Sequence, residues 1–309
     1  MRVVLVCLAS AVAGCLPVTR PGPATDGKLS VTATTSLIGD AVREIGGSHV
    51  AVTVLMPPGT DPHTYQPGAN DSVALESARL VLFNGLHLEG KMADLLARNP
   101  PGGRAAAVAS TIPEAELRPA DGNAGAHDPH VWFDVSLWMR CVDVVRAELS
   151  AADPAHAADY QANADRYRRT LLDLHEEVRA KADALPAGRR VLVTSHDAFG
   201  YFGRAYRFEV RGLQGVSTDA GIGTRDVDDL AGFLAERGVP AVFAESSVPD
   251  KGLKKVLDTA AARSGKPVRL IGGPDALFSD SLGAEGTPQG TYVGMVRHNI
   301  DTICRALTQ

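Results

Sequence analysis

The residues best placed to do chemistry are histidines that follow short rigid turns. Asp61-Pro62-His63 and Asp128-Pro129-His130 repeat one triplet. Proline fixes its own φ and pushes the preceding residue into extended geometry, so each histidine leaves its turn with little freedom. The aspartate can accept nearby backbone N–H groups and tighten the turn. An imidazole held this way can ligate a metal without first being ordered by it. Either triplet alone reads as a loop turn with an exposed imidazole; two in one chain point to one site approached from two places. A third histidine, His196, closes the run Arg190–Thr194 followed by Ser195-His196-Asp197. Carboxylates stand at Glu245, after Ala241–Ala244, and at Asp275 and Asp280 in a glycine-containing loop over 272–283. Three imidazoles and one carboxylate make a four-ligand set for a borderline divalent cation.

The elements that would position these groups alternate. Leu29–Thr35, Val50–Met56, Arg79–Phe83 and Ala105–Ala109 are β-branched or apolar runs that read as strands. Helical spacing fits Ser36–Gly46, Asp71–Ala78 and Leu88–Ala97 between them. The pattern resumes with strands at Arg190–Thr194, Phe208–Leu213, Ala241–Ala244 and Pro267–Ile271, and helices at Phe199–Tyr206, Thr224–Arg237, Lys251–Ala262 and Tyr292–Leu307. Such alternation implies an α/β fold with parallel sheets and right-handed crossovers, whose ligands sit beyond the carboxyl ends of the strands. His63, His130 and His196 are all expected at that edge; for His196 a core imidazole bonded to a carbonyl is the alternative.

Between the halves lies one long helix. Asp153-Pro154 is a strong helix start. Tyr160, Ala164, Tyr167, Leu171, Leu174, Val178 and Leu185 form one apolar stripe, and Pro186-Ala187-Gly188 ends it. From Pro154 to Leu185 it would run about 48 Å, a strut between two lobes that permits small tilts rather than a wide hinge. His156 and His175 on it, and His87 and His298 elsewhere, read as packing or surface residues.

The 309-residue length suggests two domains. A net charge of -5 and the absence of a basic run give no footprint for nucleic acid. Met1-Arg2 followed by the apolar Val3–Val12 is too short to span a bilayer and ends at Ala13-Gly14-Cys15. This is similar to a bacterial lipoprotein signal with Cys15 as the lipidated residue; an ordinary secretory signal is the alternative. Residues 1–14 are then signal peptide and 15–28 a flexible tether. The N-terminal lobe covers 29–152, the linker helix 153–186 and the C-terminal lobe 187–309. The body is expected outside the cytoplasm, anchored to the membrane by lipid or, alternatively, soluble in the periplasm. Cys141 and Cys304 read as two buried thiols, each on a predicted helix.

Several motifs together resemble one family: Pro-Gly-Thr-Asp-Pro-His63, Asp-Pro-His130-Val-Trp, Thr-Ser-His196-Asp-Ala-Phe-Gly-Tyr-Phe, Phe-Ala-Glu245-Ser-Ser, Ser-Asp280-Ser-Leu-Gly and Gly-Thr-Tyr292-Val-Gly-Met. From about residue 29 to the C-terminus the chain resembles the TroA-like zinc- and manganese-type solute-binding lipoproteins of ABC importers. The resemblance implies two (β/α) lobes joined by one rigid helix, with the metal bound between them as transported ligand. Carried over position by position, the family's ligands fall on His63, His130, His196 and Asp280. Asp275 is a rival for the last position, and Glu245 either orients an imidazole or bonds a helix N-terminus. Many manganese-selective members carry a glutamate at the position of His196, and dedicated zinc members carry a histidine-rich loop where this chain has only His127. The resemblance also implies a permease and its ATPase as partners, and a monomer is expected. A zinc hydrolase is the rival reading; it would keep a coordination position open for water, and no His-Glu-x-x-His pattern is present. An adhesin on the same scaffold is the other.

Overall fold

The computed structural model describes residues 27–98, 100, 102–120 and 125–308. The signal segment, Cys15 and most of the tether therefore lie outside the described residues.

Two four-stranded sheets organise the chain. The first contains β1 (Leu29–Ala33), β2 (Val50–Val54), β3 (Leu80–Phe83) and β4 (Arg104–Ala107). The second contains β5 (Val191–His196), β6 (Glu209–Gln214), β7 (Ala241–Phe243) and β8 (Arg269–Ile271). Their orders are β2-β1-β3-β4 and β6-β5-β7-β8, so the same winding occurs twice. Every pairing is parallel. The central strands β3 and β7 are wholly apolar because both of their faces are covered; β5 is buried throughout although it ends in Thr194, Ser195 and His196.

Helices α1 (Ser36–Gly46), α2 (Ala69–Ser77) and the short α3 (Ala93–Leu96) serve the first sheet. Thr35 caps α1, its Oγ1 accepting the Ile38 N–H. Leu88–Ala97 is not one helix as its spacing suggested: a 3-10 turn, Gly90–Met92, precedes a single α-helical turn. Helices α4 (Val135–Ala152) and α5 (Ala157–Ala184) follow. The remaining helices are α6 (Gly200–Tyr206), α7 (Thr224–Arg237), α8 (Lys251–Ser264) and α9 (Tyr292–Thr308).

The long helix starts later than expected. Pro154–His156 is a 3-10 turn, so α5 has 28 residues, about 42 Å. Its expected stripe from Tyr160 to Val178 is buried, joined by Ala182. The helix is no bare strut, because it packs along α4 and α1 on one side and α9 and α6 on the other. Near its start Asn163 donates to the Ile45 carbonyl at the end of α1. Near its end Glu177 and Lys181 pair with Arg297 and Asp301 of α9. One core cluster runs from β1 and α1 through α4 and α5 to α6 and α9, and smaller clusters lie under α2–α3 and under α7–α8. Cys141 is buried and Cys304 is only half-buried; both are free thiols.

Candidate metal centre

The two Asp-Pro-His turns close as their chemistry requires. Asp61 Oδ1 accepts the His63 N–H at 2.9 Å, and Asp128 Oδ1 accepts the His130 N–H at 3.0 Å. They differ in what surrounds them. Asp61 is partly exposed, and its Oδ2 accepts the hydroxyls of Thr64 and, from the other lobe, Thr218. Asp128 is fully buried, and its Oδ1 also faces the His130 Nδ1 at 2.8 Å. That second role of Asp128 was not seen in the sequence. Its signal was the apolar Val131-Trp132-Phe133 after the second triplet, against Thr64-Tyr65 after the first.

His196 is the last residue of β5, inside the strand rather than beyond it. Its N–H donates to Glu245 Oε1 at 2.9 Å, and its Nδ1 lies 2.6 Å from Glu245 Oε2. Glu245 follows β7, the neighbour of β5, and so reaches His196 across the sheet edge. Asp280 lies beyond β8 in a loop held from the first lobe. Trp132 Nε1–H donates to the Ser279 carbonyl, Gly59 N–H to Ser281 Oγ, and Leu282 N–H to Ser36 Oγ. Asp275 is instead exposed and paired with Arg305. His298 donates from Nε2 to the Ala276 carbonyl, and His175 bonds the Tyr206 hydroxyl, both away from the centre. His156 stacks on His49.

Four side chains converge. His130 Nε2 is 3.2 Å from His63 Nε2, 3.4 Å from His196 Nε2 and 3.4 Å from Asp280 Oδ1; His196 Nε2 is 3.3 Å from Asp280 Oδ2. One ligand-capable atom from each of the four residues lies within 4.8 Å of the other three. Donor atoms at 2.0–2.1 Å from a tetrahedral zinc stand about 3.3 Å apart, so the four close spacings match such an ion in size. Asp280, His130 and His196 are essentially inaccessible; His63, 6% exposed, is the member nearest solvent.

The electrostatics are those of a cation site. Burial disfavours a charged imidazole, and it lowers His63 to about 4. At His130 burial acts the same way, but Asp128 and Asp280 outweigh it and push the group up to about 9. At His196 burial is outweighed by Glu245 and Asp280, which hold it well above the ordinary value. Burial would raise Asp280, yet His196 and His130 keep it well below the usual carboxylate range. Asp128 on the Nδ1 of His130 and Glu245 against the Nδ1 of His196 favour, in the neutral rings, the tautomer with its lone pair on Nε2, the atom aimed inward.

Deeper still lies Glu89, a fully buried carboxylate that accepts the Asn84 N–H at 2.7 Å and the Thr34 hydroxyl at 2.7 Å. The Asn84 side chain donates to the Pro129 carbonyl inside the second triplet. Sequence reasoning passed over this relay.

Comparison with known proteins gives a consistent picture. The family model described as zinc-uptake complex component A, periplasmic (ZnuA), matches residues 31–306. The manganese-binding lipoprotein MntA of Bacillus subtilis (strain 168) is 49% identical over 286 residues, 93% of this chain and 92% of MntA. The zinc-binding protein TroA of Treponema pallidum (strain Nichols) is 46% identical, over 93% of this chain and 91% of TroA. The solved structure of the periplasmic zinc-binding protein TroA from Treponema pallidum superposes with a TM-score of 0.87 at 46% identity, covering 91% of this chain and 99% of that one.

Proposed function

The chain belongs to the zinc-uptake complex component A periplasmic family, and on that premise we propose that it captures a zinc or manganese ion outside the cytoplasm and delivers it to an ABC importer. The observation that carries this reading is Asp280. Both of its oxygens are buried without a hydrogen-bond partner, and each faces the Nε2 of an imidazole. A buried carboxylate must be paired or coordinate a metal; without an ion the two imidazoles offset its charge, and a dication among these atoms would take over that role. His63, His130, His196 and Asp280 are the ligands in this reading, with Asp128 and Glu245 orienting two of the imidazoles. Imidazole favours zinc while carboxylate suits manganese, and Asp280 turns both oxygens inward, so the set accommodates either ion.

Residues 29–152 and 187–309 act as the two jaws and 153–186 as the link between them. We read Cys15 as the lipid attachment that keeps the protein at the membrane, and a permease with its ATPase as the acceptor of the ion. Four closing side chains favour capture over a zinc hydrolase, which would keep a position open for water. The test is metal analysis of the protein purified from cells, then competition of zinc against manganese on the stripped protein. Tight, stoichiometric binding of at least one ion is expected, and absence of measurable affinity for both overturns the reading.

A further inference from the structure

Of the three carboxylates around the centre, one has a partner the others lack. Among the described residues, Glu245 and Asp280 have only imidazoles as cationic partners. Asp128 Oδ2 lies 3.3 Å from Arg118 Nε. That oxygen and the Arg118 Nε are both buried and neither makes a hydrogen bond, so the two are held together as an ion pair. Arg118 is itself fastened on three sides. Its backbone N–H donates to the Tyr201 hydroxyl at 3.0 Å, its carbonyl accepts the Asp128 N–H at 2.9 Å, and its Nη1 donates to the Gly200 carbonyl at 2.8 Å. Tyr201 donates its own hydroxyl hydrogen to the Asp128 carbonyl at 2.9 Å. Gly200 opens α6, and a Cβ there would stand 2.4 Å from Arg118 Cζ. Only glycine leaves room for the guanidinium in this place.

We infer that Arg118 is a positioning residue of the metal centre, acting through Asp128 to hold the His130 ring and bridging that support to α6 of the other lobe. The inference rests on the metal-binding reading above. Two effects of removing Arg118 oppose each other. Losing a positive charge near a cation site favours the cation, but at one residue's remove and through a pair already neutralised. Losing the partner of a fully buried carboxylate leaves Asp128 without support for the Oδ2 side, so Oδ1 no longer fixes the His130 Nδ1–H. Outer partners of ligand imidazoles typically contribute 10–100-fold to metal affinity, and the positioning effect therefore dominates.

The experiment compares the wild-type chain with R118Q, R118K, G200A and R204Q. It reads zinc affinity by chelator competition, the visible spectrum of the cobalt-loaded protein, and thermal unfolding without metal. Arg204 stacks on the same Tyr201 ring but touches no ligand carboxylate, so R204Q should match the wild type. R118Q should bind zinc about tenfold or more weakly and change the cobalt bands, and R118K, which keeps a charge beside Asp128, should recover most of both. G200A displaces the guanidinium without removing a charge and should reproduce the R118Q loss; it decides the matter if R118Q does not fold. Zinc affinity unchanged or tighter in G200A or in folded R118Q overturns the inference, as does R118K behaving like R118Q. A wild-type protein that binds no metal overturns instead the functional reading on which the inference stands.

Discussion

His130 and His196 each present Nε2 to the centre because a carboxylate, Asp128 or Glu245, occupies the other ring nitrogen. The same carboxylates make these imidazoles basic: His130 is pushed up to about 9 and His196 is held well above its ordinary value, whereas burial lowers His63 to about 4. The sign follows. At neutral pH, without an ion, the first two rings carry protons and His63 does not; a metal must displace those protons to reach Nε2. Zinc binding at pH 7 should therefore release about two protons, and apparent affinity should fall as pH drops, close to tenfold per pH unit for His130 below about 9 and further for the raised His196. Calorimetry in buffers of different ionisation enthalpy counts them. Release of none, or affinity flat between pH 8 and 6, would refute this assignment of charge. An imidazole in water would put the loss of affinity near the reference value of about 6.5. The difference comes from Asp128 and Glu245, whose contacts depend on a buried turn and on a neighbouring strand.

The loop after β8 shows how elements, rather than single ligands, close the centre. Asp280 belongs to the second lobe, but its neighbours Ser279, Ser281 and Leu282 are bonded to Trp132, Gly59 and Ser36 of the first. Trp132 comes two residues after His130, so one short segment supplies one candidate ligand and anchors the loop carrying another. W132F should keep most of the apolar packing but strand the Ser279 carbonyl, a buried acceptor whose loss costs about 1–3 kcal/mol. Zinc affinity should fall about tenfold, since 1.4 kcal/mol is a factor of ten, and zinc dissociation measured by stopped flow should quicken; an unchanged rate would mean the loop is held by other bonds. Much of this arrangement was legible beforehand. Strand–helix alternation gave both sheets, and Pro62, Pro129 and the end of β5 marked the histidines. The clamp was not, because Trp132, Gly59 and Ser36 meet the loop only through tertiary closure, and no local spacing encodes such bonds. The 18-residue α4 is the helix on which Cys141 was expected, but its part in walling α5 shows only in the packing.

At the scale of the whole molecule each sheet has a small cluster of its own on its outer face, but the main core is shared between them. The main cluster is continuous through α4, α5 and α9, and α5 is fixed to α1 at one end by Asn163 and to α9 at the other by Glu177 and Lys181. Leu171 sits at the middle of that helix and is completely buried. Domains joined by a flexible linker would move and melt separately; these two lobes share the layer between them, so damage there is felt by both. L171A should destabilise the protein by about 2–5 kcal/mol, the range for a buried Leu→Ala cavity. Calorimetry of the metal-free chain should give one unfolding transition that moves down as a unit in L171A. Two transitions, with only one displaced, would show that the lobes fold independently. Unity of the core also limits how the ion leaves. A shared layer resists wide opening, and the parts free to shift are those outside it: the turn carrying His63, the most exposed of the four candidate ligands, and the loop around Thr218 and Asp219 that touches Asp61 and Lys91 from the opposite lobe. Small-angle scattering of metal-free and zinc-loaded protein should accordingly give nearly the same radius of gyration. A large expansion on stripping would require the α4–α5–α9 layer to part, and L171A would then enlarge that expansion further.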